Sequence, residues 1–203
     1  QMADFCKVKH FIYASSAAIY GNGSVPMKET QAPDIFTAYS KSKLLIDEMA
    51  ISIKDLPIVG LRYFNVFGLG EQYKERAASM IYHLALQLKS TGKARLFEFG
   101  EQKRDHIYVK DIVEANINAI TAPTGVYNVG TGKATSFNEL IKIIGEVMNI
   151  KPKIEYIKMP FDAKTYQSNT QADTLHAETN LKFKAKYGLK AAIKEYLAVL
   201  NVI

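Results

Sequence analysis

Cysteine is nearly missing from this sequence: Cys6 stands alone among 203 residues, so no intramolecular disulfide can staple the chain and a disulfide-rich extracellular scaffold is excluded. No uninterrupted apolar run approaches the roughly 18 residues that a membrane span needs, so no membrane partner is expected. The histidines, His10, His83, His106 and His176, are too dispersed along the chain to suggest a local metal site. Internal repeats and low-complexity tracts are lacking as well. No secretory leader is visible at the N-terminus, which together with the lone cysteine leads to the expectation of a reducing, cytoplasmic setting.

What is present is ordinary globular composition, 48% hydrophobic and 23% charged. The formal net charge is +6, but the lysines and arginines are spread among acidic residues rather than gathered in a run, so a nucleic-acid partner is not expected. A positive field also suits a small polyanionic substrate such as a nucleotide diphosphate. The length fits one domain of about 100 to 200 residues with a second, smaller lobe.

Along the chain, residues 7–14 (KVKHFIYA) read as a buried strand, followed by a turn-rich loop over 21–34. A helix is predicted from about Phe36 to Ile51, its apolar positions at Leu44, Leu45, Met49 and Ile53. Residues 57–64 (PIVGLRYF) give the next strand, and strand, helix, strand in this order make a βαβ unit with parallel strands. Further on, the pattern predicts a helix over 77–89, strands over 95–99 and 106–109, a helix over 111–120, a strand over 125–129, a helix from Ser136 to Met148 opened by a Ser136/Glu139 capping box, and a strand over 153–157. Closing helices are predicted over 170–176 and 189–200.

Ser15 and Ser16 fall where the first strand ends, the edge at which open α/β sheets bind ligands; as turn residues they could equally satisfy loop amides. Tyr39 and Lys43 lie four apart on one helix face, so a phenol and an ammonium can meet and the phenol can exchange protons, although the same spacing also describes a solvated face. Gly130-Thr131-Gly132, with Glu155 farther on, imitates the dinucleotide fingerprint, but Thr135 stands at the third glycine. We read it as a strand–turn–helix in which the turn satisfies the helix N-terminus.

Taken in order, Ser15-Ser16, Tyr20-Gly21, Tyr39 with Lys43, residues 62–68 (RYFNVFG), 103–109 (KRDHIYV) and 127–132 (YNVGTG) resemble the extended short-chain dehydrogenase/reductase family, which includes the NAD-dependent epimerases and dehydratases. Residues 13–21 (YASSAAIYG), 71–74 (EQYK) followed by Ala78-Ser79, and Thr165-Tyr166-Gln167 followed by 170–173 (TQAD) narrow the likeness to members that epimerise an ADP-linked heptose. The resemblance covers essentially the whole chain.

It implies an α/β fold: a Rossmann-like parallel sheet, here over residues 1–70, with a smaller C-terminal α/β substrate lobe over 71–203 and interleaved segments that return to the sheet. It makes Ser16 the hydroxyl that holds substrate, Tyr39 one acid/base and Lys74 the second. Tyr39, Lys43, Tyr63 and Asn65 would contact the cofactor, Lys43 through its ribose. Ser16 and Asn65 would also contact the sugar nucleotide, and Arg104 and Tyr166 would bind its phosphates. From residues alone, Lys74 remains open as a loop lysine and Arg104 as a partner of Asp105. The implied substrate is ADP-heptose, the implied cofactor NADP or NAD, and the implied assembly a homo-oligomer. The family's glycine fingerprint would precede Lys7, so the expectation is a C-terminal part of such an enzyme, without the segment that separates NAD from NADP. A 4-epimerase or dehydratase of UDP- or dTDP-hexoses and a noncatalytic sugar-nucleotide-binding fragment are the alternatives.

Overall fold

The computed structural model describes residues 5–160 and 166–203. Its central sheet has strand order β1-β2-β6, all parallel, formed by β1 (Phe11–Ser16), β2 (Ile58–Tyr63) and β6 (Gly125–Val129). β2 is buried from Ile58 to Arg62, as the middle strand of such a sheet must be. Tyr13 lies in register with Gly60, and a Cβ at Gly60 would sit 2.4 Å from the Tyr13 hydroxyl, so only glycine lets that ring cross the neighbouring strand. The first strand differs from expectation. It begins at Phe11 rather than Lys7, and among the described residues it pairs with β2 alone and is buried only at Ser15 and Ser16.

Helix α1 (Ala38–Ser52) starts with a capping box: Thr37 Oγ1 accepts from the Ser40 amide at 3.1 Å and Ser40 Oγ accepts from the Thr37 amide at 3.1 Å. Of its predicted apolar positions only Leu44 is buried, whereas Leu45, Met49 and Ile53 are exposed. The helix docks through a polar contact instead. Asp47 is buried and accepts from Tyr13 and from Arg62, both at 2.9 Å.

Beyond the 3-10 segment Glu71–Ala77 come α2 (Met80–Thr91) and β4 (Lys93–Phe97), which pairs in parallel with β8 (Lys153–Ile157). The intervening chain builds β5 (Lys103–Tyr108), α3 (Val109–Ala119), β7 (Ala134–Ser136) and α4 (Phe137–Met148). The short β3 (Asn65–Phe67) pairs in parallel with β5, and β7 pairs with β5 antiparallel. Helix α5 (Leu189–Val199) closes the described chain. One apolar core lies between α2, α4, α5 and β4, around Leu84, Leu88, Leu140, Ile144 and Ile193; a second joins β2, β6 and α3 around Leu61, Ile112 and Val129. The chain is therefore an α/β protein built on parallel strands.

Of the predicted helix over 170–176 only Leu175 and His176 are helical; residues 170–174 are non-helical, with an isolated bridge from Ala172 to Met27. The hydrogen-bonding groups of 170–174 are taken elsewhere: the Thr170 amide donates to the Lys103 carbonyl at 3.1 Å, the Ala172 amide to Asp105 at 3.0 Å, and the Gln171 carbonyl accepts from the Met27 amide at 2.7 Å. A single π-helical turn follows at Ala177–Leu181. Among the described residues no helix is long and apolar enough to cross a membrane, and no cluster of metal-ligating side chains is found.

Candidate active site

The carboxyl ends of β1 and β2, the first turns of α1, the 3-10 segment and β5 surround a cavity of about 510 Å³. Ser16, Tyr39, Lys43, Tyr63, Asn65, Lys74, Arg104 and Tyr166 all line it, so residues separated by as much as 150 positions converge on one space. Thr165, which belongs to the same sequence stretch as Tyr166, lies outside the described residues.

Each of these side chains is held by its own local structure. Ser16 is the N-cap of the 3-10 turn Ala17–Tyr20, its Oγ accepting from the Ala18 amide at 3.2 Å, so the turn role open in the sequence is realised while the side chain still borders the cavity. The Ser15 hydroxyl beside it is buried with no partner among the described residues. Lys43 donates to the Ala14 carbonyl at 2.9 Å, with its ammonium 5.7 Å from the centre of the Tyr39 ring. Tyr39 itself is exposed on the open side. The Tyr63 hydroxyl donates to Asn116 at 3.0 Å, and burial raises its pKa. Asn65 Oδ1 accepts from Thr170 at 2.9 Å.

Lys74 owes its place to Glu71. That carboxylate is buried and accepts from the Gly68 amide at 3.2 Å and from the Ser79 amide and hydroxyl at 2.5 and 2.9 Å, which ties both ends of the 3-10 segment together. Glu71 was visible only as a letter of the 71–74 stretch; its neighbour Ser79, the N-cap of α2, was the available signal.

Arg104 does not pair with Asp105. The Asp105 carboxylate accepts from the Thr131 amide and hydroxyl at 2.8 and 2.6 Å, the Gly132 amide at 2.9 Å and the Ala172 amide at 3.0 Å. The Gly130-Thr131-Gly132 turn thus wraps a buried side-chain carboxylate. A Cβ at Gly130 would come within 2.7 Å of Ala172 and 2.9 Å of that carboxylate, which is why glycine stands there. This corrects the expected purpose of the turn, since the N-terminus of α4 is capped by Ser136 instead.

The Arg104 guanidinium is buried against the Tyr166 ring at 5.1 Å and the Phe137 ring at 5.7 Å, and donates to the carbonyls of Lys103 and Ser168 at 2.9 and 3.0 Å. Among the described residues no carboxylate lies within ion-pair distance of it. Burial lowers its pKa from the usual arginine value. Among the described residues this buried cation is met by carbonyl dipoles and aromatic faces and by no counter-charge, an arrangement that could accept an anion such as a phosphate. His106, two residues on, also lines the cavity; dispersal of the histidines in sequence hid it, although strand alternation places it on the face of Arg104.

Residues 1–130 match the NAD dependent epimerase/dehydratase family. The chain belongs to that family. Over 175 residues it is 41% identical to the ADP-L-glycero-D-manno-heptose-6-epimerase of Alkalilimnicola ehrlichii, an alignment that takes in 80% of this chain and 54% of that protein. The crystal structure of the Helicobacter pylori enzyme of the same name superposes with a TM-score of 0.87 at 40% identity, covering 96% of this chain and 60% of that one. MoeE5, solved in complex with UDP-glucose and NAD, gives a TM-score of 0.85 at 25% identity, over 98% of this chain and 67% of its own. The chain thus spans 54% of the curated relative and 60% of the Helicobacter structure.

Proposed function

We propose that this chain carries the substrate side of a nucleotide-sugar epimerase that inverts C6 of ADP-D-glycero-D-manno-heptose to the L-glycero epimer, a step of lipopolysaccharide core synthesis in the cytoplasm. The observation that carries the reading is the common cavity of Tyr39, Lys74 and Arg104, two proton-transfer groups from different segments beside an anion-binding guanidinium. Family membership, and relatives named for this reaction at 41% and 34% identity, support it.

Inversion through a carbonyl needs hydride removed from one face of C6 and returned to the other; because the intermediate turns in between, its oxygen loses a proton in one orientation and regains one in another, so two acid/base groups are wanted where a simple dehydrogenase needs one. In this reading Tyr39 takes or gives the C6 hydroxyl proton in one orientation of the substrate and Lys74 in the other. Lys43, anchored at the end of β1, holds Tyr39 in an electropositive setting. Arg104 and the Tyr166 ring hold the diphosphate, while Ser16 and Asn65 meet the sugar nucleotide.

A nicotinamide cofactor, NADP in this reading with NAD as the alternative, would supply the hydride acceptor and donor when bound. Lys43, Tyr39, Tyr63 and Asn65 would contact it. The fit is supported by the Ser15 hydroxyl, buried beside the cavity with no partner among the described residues, and by Lys43 extended along the strand ends where α/β sheets receive nucleotides. The homo-oligomer expectation has support in Leu45, Met49 and Ile53, apolar side chains left exposed on and just beyond α1.

A 4-epimerase of UDP- or dTDP-hexoses would leave Lys74 idle, and its place on the cavity wall favours the heptose reading. The test is conversion of ADP-D-glycero-D-manno-heptose by the protein expressed at the full length of its reading frame, with NADP or NAD added and the C6 configuration read by proton NMR. Turnover of UDP-glucose with none of the ADP-heptose would overturn the assignment.

A further inference from the structure

Residues three apart on a 3-10 turn stand nearly over one another, which is how Glu71 and Lys74 come to share the cavity side of the segment Glu71–Ala77. The segment does not run on smoothly from there. Glu75, the residue after Lys74, has φ 50° and ψ −119° and breaks the segment into two helical pieces. These are the angles of the first central residue of a type II′ turn, a position that favours glycine because a Cβ is crowded there. Elsewhere in the chain nearly the same conformation, φ 52° and ψ −129°, is filled by Gly21. Asn149 and Lys182 also have positive φ, but with ψ of 39° and 31° they are ordinary left-handed residues after helical turns.

Nothing in the Glu75 side chain offsets the strain. It is exposed, and among the described residues its carboxylate makes no hydrogen bond or ion pair. The conformation is imposed by the chain around it. The Glu71 carboxylate fastens Gly68 on one side and Ser79 on the other, and the Ala78 amide donates to the Glu75 carbonyl at 3.2 Å, so the backbone must turn back between Lys74 and Ala78. Strained residues that persist under such constraint gather at sites where the strain fixes a working group.

We infer that Glu75 is a positioning residue whose glycine-like backbone, held closed by the Glu71 clasp, turns the chain immediately after Lys74 and fixes that lysine at the cavity wall. This rests on the proposed reading of Lys74 as the second acid/base and states how the protein holds it in place. The Glu75 carboxylate takes no part; the backbone conformation alone matters. Exact placement is worth this strain because a displacement of about 1 Å can cost a reacting group about 10²-fold in rate.

The test uses the protein at the full length of its reading frame, loaded with cofactor. Glu75→Gly keeps the turn and removes both strain and carboxylate, so the melting temperature should rise by about 2 °C while turnover of ADP-heptose stays within about twofold of the parent. Glu75→Pro locks φ near −65° and forbids the turn, so turnover should fall by about 10²-fold. That loss should be one-sided. With deuterated reduced cofactor and an aldehyde analogue of the oxidised intermediate, Glu75→Pro should deliver deuterium at the parental rate to the face served by Tyr39 and about 10²-fold more slowly to the face served by Lys74. A melting temperature of Glu75→Gly at or below the parental value would show that no strain is stored there and would overturn the inference. Collapsed turnover in Glu75→Gly, parental turnover in Glu75→Pro, or equal losses at both faces would overturn it as well. Parental turnover in Lys74→Met would instead overturn the two-base reading itself, and this inference with it, whatever the melting temperature of Glu75→Gly.

Discussion

Lys43 and Tyr39 sit one helical turn apart on α1, the ammonium 5.7 Å from the centre of the ring and fixed at 2.9 Å to the Ala14 carbonyl at the end of β1. The anchor matters because a flexible lysine would lose its influence on the phenol to rotamer averaging. Tyr39→Phe keeps the ring and this geometry but removes the only atom that can carry a proton. Turnover of ADP-heptose should fall by roughly 10²- to 10⁴-fold, the usual contribution of a positioned acid/base, with the melting temperature unchanged because Tyr39 is exposed. Near-parental turnover in this variant would remove Tyr39 from the mechanism.

Lys74 offers a sharper test, since a second acid/base predicts two separable half-reactions. Lys74→Met preserves the stem length and leaves the Glu71 anchor of the segment intact. Net epimerisation should stop, while an aldehyde analogue of the oxidised intermediate is still processed at the face served by Tyr39. Tyr39→Phe should process the opposite face. If Lys74→Met epimerises at the parental rate, the lysine is a solvated side chain of the loop and the two-base scheme fails.

Much of this architecture was legible from pattern. β6 and β8 fall where the periodicity placed them, and Ser136 caps α4 as its spacing with Glu139 predicts. The misses share a cause: long-range polar contacts that local pattern does not encode. The segment over 170–176 has helical composition, yet Asp105, Lys103 and Met27 claim its backbone groups. The apolar residues of α1 read as a core face, but the helix turns its Asp47 side inward toward Arg62. Within the site, the eight side chains expected from family resemblance do line one cavity, whereas His106 and Glu71 emerged only once burial and partners were visible.

The Arg62–Asp47 pair bears directly on stability. Both side chains are buried, they meet at 2.9 Å, and Arg62 also donates to the Tyr20 hydroxyl at 2.8 Å, which in turn donates to Asn128 at 2.6 Å. Burial pushes the Tyr20 hydroxyl up to about 12, so it stays protonated and keeps its place in the chain of bonds. Asp47→Ala should cost about 3–5 kcal/mol, because it strands the guanidinium without its carboxylate. Asp47→Asn retains an acceptor and should cost less. Urea denaturation gives both numbers, and a loss under about 1 kcal/mol for the alanine variant would mean that water or Tyr20 compensates the charge.

The last prediction concerns acid. Burial, and after it the charge of Arg104, depresses the His106 pKa to about 3, against about 6.5 for an unhindered histidine. Lys133, Lys184 and Lys186 border a smaller cavity of about 270 Å³ beside His106, and Lys74 the larger one; the carboxylates on those walls are Glu178, paired with Lys184 at 3.3 Å, and Glu71, engaged with Gly68 and Ser79. Protonation of the ring therefore meets a predominantly cationic surrounding as well as desolvation. Between pH 6.5 and about 3 the unfolded chain binds a proton that the folded protein refuses, so the contribution to stability is fully present above pH 6.5 and is lost as the pH falls. In its steep region the loss approaches about 1.4 kcal/mol per pH unit. His106→Phe removes this group, and its stability curve should separate from that of the parent as the pH drops from 7 to 5, the variant becoming progressively more stable by comparison. Curves that stay parallel over that interval would show that His106 takes up its proton equally in both states, and that the ring is not sealed from solvent in the folded protein.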